Sequence, residues 1–168
     1  MQKICVAFTG PSNSGKTTAI VKIAEKLTKN YKLAIIKNDP GDKAKFDIEG
    51  KDSWKFTQTG ANVAIVSPTR TTLFLQEQRD IKDVAKLFGE YDILIVEGLK
   101  YLDLPRIGIF RNRLDESYFP YIKAIACDNS IDLFKYKIPK DIEILDLNDI
   151  DGLIKWIFKN GVRDDRDH

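Results

Sequence analysis

Apolar positions fall into two patterns along the chain, short continuous runs and longer stretches at helical spacing. Lys3 to Thr9 (KICVAFT) is a continuous run too short for a helix and reads as a buried strand. A glycine-bearing turn follows it. From Lys16 to Lys29, the residues Ala19, Ile20, Ile23, Ala24 and Leu27 recur at the spacing of one helix face. Leu33 to Lys37 (LAIIK) predicts a second strand. Residues 38–52 are rich in Asp, Lys and Gly and read as a loop, with a helical turn beginning near Ser53. Asn62 to Ser67 and Thr71 to Leu75, separated by Pro68, predict a β-hairpin. Ile81, Val84, Ala85 and Phe88 share one face of a helix over Ile81 to Phe88. Asp92 to Val96 (DILIV) is a strongly apolar strand, and Arg106 to Arg111, Ile122 to Cys127 and Glu143 to Leu147 are further strands. Leu153, Ile154, Ile157 and Phe158 mark a closing helix capped by Asn148 or Asp149. The charged tail GVRDDRDH is expected to fray.

Apolar strands joined by helices predict an α/β fold, a mostly parallel sheet covered by helices on both faces with a β-hairpin insertion. A length of 168 residues fits a single nucleotide-binding domain spanning the chain. Ligands of such sheets bind beyond the carboxyl ends of the strands, so the chemistry is expected after Thr9, Lys37 and Val96. Composition adds little: 43% hydrophobic and 31% charged residues are ordinary for a globular protein. A net charge of +2 gives no argument for nucleic acid or a membrane surface. No apolar run approaches the ~20 residues of a membrane span, and Met1 to Thr9 lacks the layout of a signal peptide. A cytoplasmic protein is therefore expected. Cys5 and Cys127 lie inside apolar runs and are expected to be buried free thiols.

After the first strand comes Gly10-Pro11-Ser12-Asn13-Ser14-Gly15-Lys16-Thr17-Thr18, a full match to the phosphate-loop (P-loop) pattern G-x-x-x-x-G-K-[ST]. The glycines let successive N–H groups converge on one phosphate, and the following helix offers its unpaired donors and positive dipole end. Lys16 is expected to neutralise the β- and γ-phosphates, Thr17 to place its hydroxyl on Mg²⁺, and Thr18 to meet the α-phosphate. The ligand expected is a purine nucleoside triphosphate with Mg²⁺. Glu97 closes an apolar strand at the same edge and is a second candidate for the metal. Asp39 follows the second strand and is a candidate second acidic group near Mg²⁺, and the candidate for positioning a water. Arg106, Arg111 and Arg113 make a basic cluster, read either as phosphate ligands or as the charged guard of an exposed strand edge. Asp128 ends another strand and is a candidate reader of guanine, although the chain has no N-K-x-D element. The single histidine, His168, is terminal, so no histidine-based catalytic or metal constellation is available.

Several segments together resemble the MobB family of molybdopterin-guanine dinucleotide biosynthesis adaptor proteins. They are the P-loop, Gly50-Lys51-Asp52-Ser53-Trp54, Thr59-Gly60-Ala61, Val96-Glu97-Gly98-Leu99-Lys100 and Pro105-Arg106-Ile107. The likeness spans roughly residues 1–130 in the family's order. It implies a P-loop NTPase fold, a homodimer, and GTP bound and hydrolysed slowly. It also implies a partner, the guanylyltransferase that joins GMP to the molybdenum-pterin cofactor. Asn38 stands where the family usually carries histidine, Leu99 where Phe is common and Arg106 where Lys is common. The competing expectation is a small-molecule kinase moving the γ-phosphate of ATP or GTP, with Arg106 to Arg113 as an arginine-bearing lid.

Overall fold

In the computed structural model, which describes residues 3–164, the chain divides into two compact units. The first comprises residues up to Asn38 and from Leu87 onward, the second Asp39–Lys86.

The first unit is built on a seven-stranded sheet. Its strands are β1 (Lys3–Thr9), β2 (Leu33–Lys37), β5 (Ile93–Glu97), β6 (Arg106–Phe110), β7 (Ala124–Cys127), β8 (Glu143–Asp146) and β9 (Val162–Asp164). The order β2-β5-β1-β6-β7-β8 is parallel throughout, with β9 antiparallel against β1. These are the apolar runs of the sequence, and burial on both faces is what makes them continuous rather than alternating.

Two helices cover one face. α1 (Lys16–Leu27) buries Ala19, Ile20, Ile23 and Leu27, and α4 (Ile150–Asn160) buries Leu153, Trp156 and Ile157. They close over Val6, Phe8, Ile93, Ile95, Ile107 and Ile109 in one core. Each large side chain buried there contributes roughly 1.5–3 kcal/mol. Asp149 caps α4 by accepting from the Gly152 N–H at 2.9 Å, which decides between the two predicted caps. Over β6 and β7 the opposite face carries 3₁₀ turns at Glu116–Tyr121 and Leu133–Lys135 rather than α-helix. There Tyr118, Phe119, Leu133 and Tyr136 pack on Phe110, Ile125 and Cys127. Both cysteines are free and buried.

Three expectations change. The start of the tail is a strand, because β6 joins β1 only from Ala7 onward and leaves the first half of that flank to β9, at Lys3↔Asp164, Ile4↔Arg163 and Cys5↔Val162. His168 lies outside the described residues. The strand carrying Arg106 is no exposed edge, since β6 sits between β1 and β7. Nor is Arg106 an exposed charge. It is wholly buried and donates to the carbonyls of Gly98 at 2.6 Å, Leu99 at 2.8 Å and Leu102 at 2.8 Å. Burial pulls its pKa below the ordinary arginine value.

The second unit holds α2 (Asp52–Thr57), the antiparallel hairpin β3 (Val63–Val66) and β4 (Thr71–Phe74), and α3 (Ile81–Leu87), whose last residue falls in the first unit. Little of it is buried: Phe46, Ile48 and Val66 are 81%, 68% and 78% exposed. No helix among the described residues is long and apolar enough to cross a membrane.

The Arg106 clamp generates a stability prediction. Arg106→Ala removes the only side-chain donor recorded on these carbonyls among the described residues and leaves a cavity. Urea unfolding is expected to show a loss of about 2–4 kcal/mol, with Arg106→Lys losing less. An unchanged midpoint for Arg106→Ala contradicts the clamp.

Candidate functional site

The loop after β1 is shaped by glycines. Gly10 has φ +140°, and a Cβ there would stand 2.2 Å from the Ile109 carbonyl oxygen, so no other residue fits without moving β6. Gly15 has φ +93° and is the residue from which α1 starts. The helix has neither a side-chain cap nor an acidic residue in its first turn. Its positive end, with exposed Thr17 and Thr18 on it, is therefore open to an anion. Inside the loop, Ser14 is 3% exposed and its Oγ has no partner among the described residues. An orphaned buried hydroxyl in a glycine-shaped cradle is what a phosphate-binding loop presents before its ligand arrives.

Lys16 folds back over the loop. Its Nζ donates to the carbonyls of Gly10 at 2.9 Å and Pro11 at 2.7 Å. Burial lowers its pKa from the ordinary lysine value, Glu97 opposes that shift, and Lys37 adds to it. These three charges thus sit within electrostatic reach of one another at the carboxyl ends of β1, β5 and β2. The Glu97 carboxylate, only 13% exposed, pairs with Lys37 Nζ at 3.7 Å.

Main-chain bonds fix where Glu97 lies. The Gly98 N–H donates to the Phe8 carbonyl at 2.8 Å, and the Asn38 N–H donates to the Glu97 carbonyl at 3.0 Å. Leu99 follows at φ +48°, a conformation a branched side chain rarely takes. The buried Arg106 guanidinium, bonded to the carbonyls on both sides of that residue's amide nitrogen, holds it there. An arginine so enclosed cannot act in a kinase-like lid.

Arg111 has a different environment from Arg106. The alternation along β6 sends Arg106, Gly108 and Phe110 to one face, and Ile107 and Ile109 to the face packed against α1. Arg111 continues the second set. Its guanidinium carbon lies 3.4 Å from where a Cβ on Gly15 would stand. Its Nε pairs with Asp128 Oδ2 at 3.2 Å. Asp128 Oδ1 in turn accepts from the Ser130 N–H at 3.1 Å and from the Ser130 hydroxyl. The hydrogen bond from Ser130, with a lesser contribution from Arg111, holds the Asp128 carboxyl below the ordinary range. Sequence reasoning grouped the arginines together. The odd spacing of Arg106 and Arg111 on a strand was the signal that could have separated them.

Among the sequence candidates, Gly10 to Thr18, Glu97 and Asp128 all belong to the first unit, at the carboxyl ends of its strands. Asp39 belongs to the second unit, where its carboxylate accepts from the N–H groups of Lys43 at 2.8 Å and Ala44 at 2.7 Å. The Gly50 to Ser53 element is there too, with the Ser53 hydroxyl donating to Asp47 at 2.9 Å. The described residues include no cluster of three His, Cys, Asp or Glu side chains able to hold a metal alone. Thr17 and Glu97 still suit Mg²⁺ chemically, since that ion takes a few hard protein oxygens and completes its shell with water and phosphate.

The chain is similar to several known proteins. A molybdopterin-guanine dinucleotide biosynthesis adapter protein of Haemophilus influenzae is 26% identical over 161 residues, covering 90% of this chain and 86% of its own. The crystal structure of Bacillus subtilis MobB superposes with a TM-score of 0.74 at 24% identity, covering 90% of this chain and 96% of that one. The hydrogenase maturation factor HypB of Archaeoglobus fulgidus shares the fold more distantly, with a TM-score of 0.55 at 18% identity over 94% of this chain and 87% of its own. The model of the family described as molybdopterin guanine dinucleotide synthesis protein B matches residues 5–128. The chain belongs to that family, MobB, and has its P-loop NTPase fold.

Proposed function

We propose that this protein is a GTP-binding adaptor in molybdopterin-guanine dinucleotide biosynthesis, acting in the cytoplasm with the guanylyltransferase of that pathway. The observation that carries the nucleotide half is the open loop from Gly10 to Thr18, with its orphaned Ser14 hydroxyl and its uncapped helix end. The choice of GTP and of the pathway rests on the family. Lys16 exchanges its two loop carbonyls for the β- and γ-phosphate oxygens. The loop N–H groups and Ser14 take the remaining phosphate oxygens. Thr17 and Glu97 would hold Mg²⁺, which when bound supplies charge neutralisation at the phosphates. Lys37 pairs with Glu97 at 3.7 Å at the same strand edge.

Hydrolysis is slow in this reading because no imidazole is at hand, Asn38 standing in the histidine place. The protein acts as a homodimer. Its hairpin exposes Val66 at 78%, Leu73 at 46% and Ile65 at 38%, and a two-stranded sheet has open edges that pairing across a two-fold axis would cover.

Three outcomes are expected. Lys16→Ala abolishes GTP binding in calorimetry while the melting temperature holds; an unchanged dissociation constant sinks the site. Glu97→Gln lowers single-turnover hydrolysis more than it lowers GTP affinity, and equal hydrolysis rates in the two proteins count against its role. Light scattering at micromolar concentration gives a dimer, which Val66→Asp with Leu73→Asp converts to monomer, and turnover without a partner stays below about 10⁻² per second. A wild-type monomer hydrolysing several GTP per second contradicts both halves.

A further inference from the structure

The place of Arg111 is unexplained by folding alone. Its guanidinium lies over Gly15, beside the positive end of α1 and on the same side of the sheet as Lys16. A third positive element there is unfavourable unless anions flank it. One anion pairs with it, Asp128, whose Oδ2 lies 3.2 Å from Nε. The two terminal amino groups make no hydrogen bond among the described residues. Cζ and Nε lie 3.4 Å and Nη1 3.8 Å from the Cβ position of Gly15, so the guanidinium lies over the loop's last glycine. Asp128 is itself fixed, by two bonds from Ser130. The chain Ser130, Asp128, Arg111 therefore ends in a planar cation whose two terminal amino groups are unspent among the described residues. That is the geometry with which arginine takes phosphate oxygens.

Resting on the nucleotide reading above, we propose that Arg111 is a second phosphate-binding cation of this site, supplied in cis, and that Asp128 is its positioning residue rather than the reader of the base. The assignment separates Arg111 from Arg106, which is wholly buried and directs both of its terminal amino groups to three carbonyls. It also replaces the direct base contact expected of Asp128 with an indirect one through the phosphates. GTP, GDP and ATP should feel Arg111 alike, because all three present the same diphosphate over the loop.

The experiment is calorimetric titration of the full chain with Mg²⁺ and GTP, GDP or ATP. The proteins are wild type, Lys16→Ala, Arg111→Gln, Arg111→Lys, Asp128→Ala and the double variant Arg111→Gln/Asp128→Ala. Arg111 is 42% exposed, so melting temperatures should hold. Arg111→Gln is expected to weaken all three nucleotides by roughly ten- to a hundredfold and to make binding less sensitive to salt. Arg111→Lys recovers part of the loss. Asp128→Ala is expected to change affinity without changing the ratio of GTP to ATP affinity, and to have no effect in the Arg111→Gln background, as a residue acting through Arg111 must. Wild-type affinity in Arg111→Gln, with binding lost in Lys16→Ala, overturns the role of Arg111 and leaves the nucleotide site standing. A changed GTP-to-ATP ratio in Asp128→Ala, in either background, overturns the positioning role and returns Asp128 to the base. A wild-type chain that binds none of the three overturns the nucleotide reading and this proposal with it.

Discussion

The site depends on the hydrogen-bond ladder of β1. This strand pairs with β5 along one flank and with β6 and β9 along the other, and each register is fixed. Because β5 and β6 run parallel to β1, their carboxyl ends arrive at the same edge as Thr9. The phosphate loop, Glu97 and Arg111 are therefore brought together by backbone pairing, not by contacts among their own side chains. A slip of one residue would turn Glu97 and Arg111 to the opposite face. Apolar burial on both sides of the sheet resists that slip, since Ile93, Ile95, Ile107 and Ile109 are fully buried against the α1 face.

Arg106 adds a second constraint to the ladder. A buried guanidinium is costly unless its donors are used, and here Nη1 and Nη2 donate to three carbonyls while Nε is left without a partner among the described residues. The loop after β5 pays conformational strain at Leu99, and the arginine holds that strain in place. The result is a rigid segment directly behind Glu97. A lysine there would carry the charge as a point rather than a fork and could not reach all of these carbonyls with planar geometry.

Much of the first unit was legible because its strands are apolar on both faces and its loop carries a motif whose chemistry is local. KICVAFT, GPSNSGKTT and the helix after them need no tertiary knowledge to interpret. β9 was not legible, because Val162-Arg163-Asp164 has neither length nor apolar pattern, and its pairing exists only to complete a flank of β1. The burial of Arg106 was hidden for a related reason. A lone arginine in a strand looks like an edge guard until the strand order puts it between β1 and β7. The second unit followed the turn signals around Pro68 closely, with β3 and β4 where the hairpin was expected. Its chemistry stayed open because Phe46, Ile48 and Val66 are exposed, so apolar pattern there describes a surface and not a core.

The central claim is that the donors at the start of α1 await the phosphates of GTP. Amide hydrogen exchange of the full chain, with Mg²⁺ and saturating GTP, reads those donors directly. The account predicts that the amides from Asn13 to Thr18 slow markedly with GTP, and less with ATP at the same concentration, while the strand amides of β7 and β8 do not change. Loop amides exchanging at the same rate with and without GTP would contradict it.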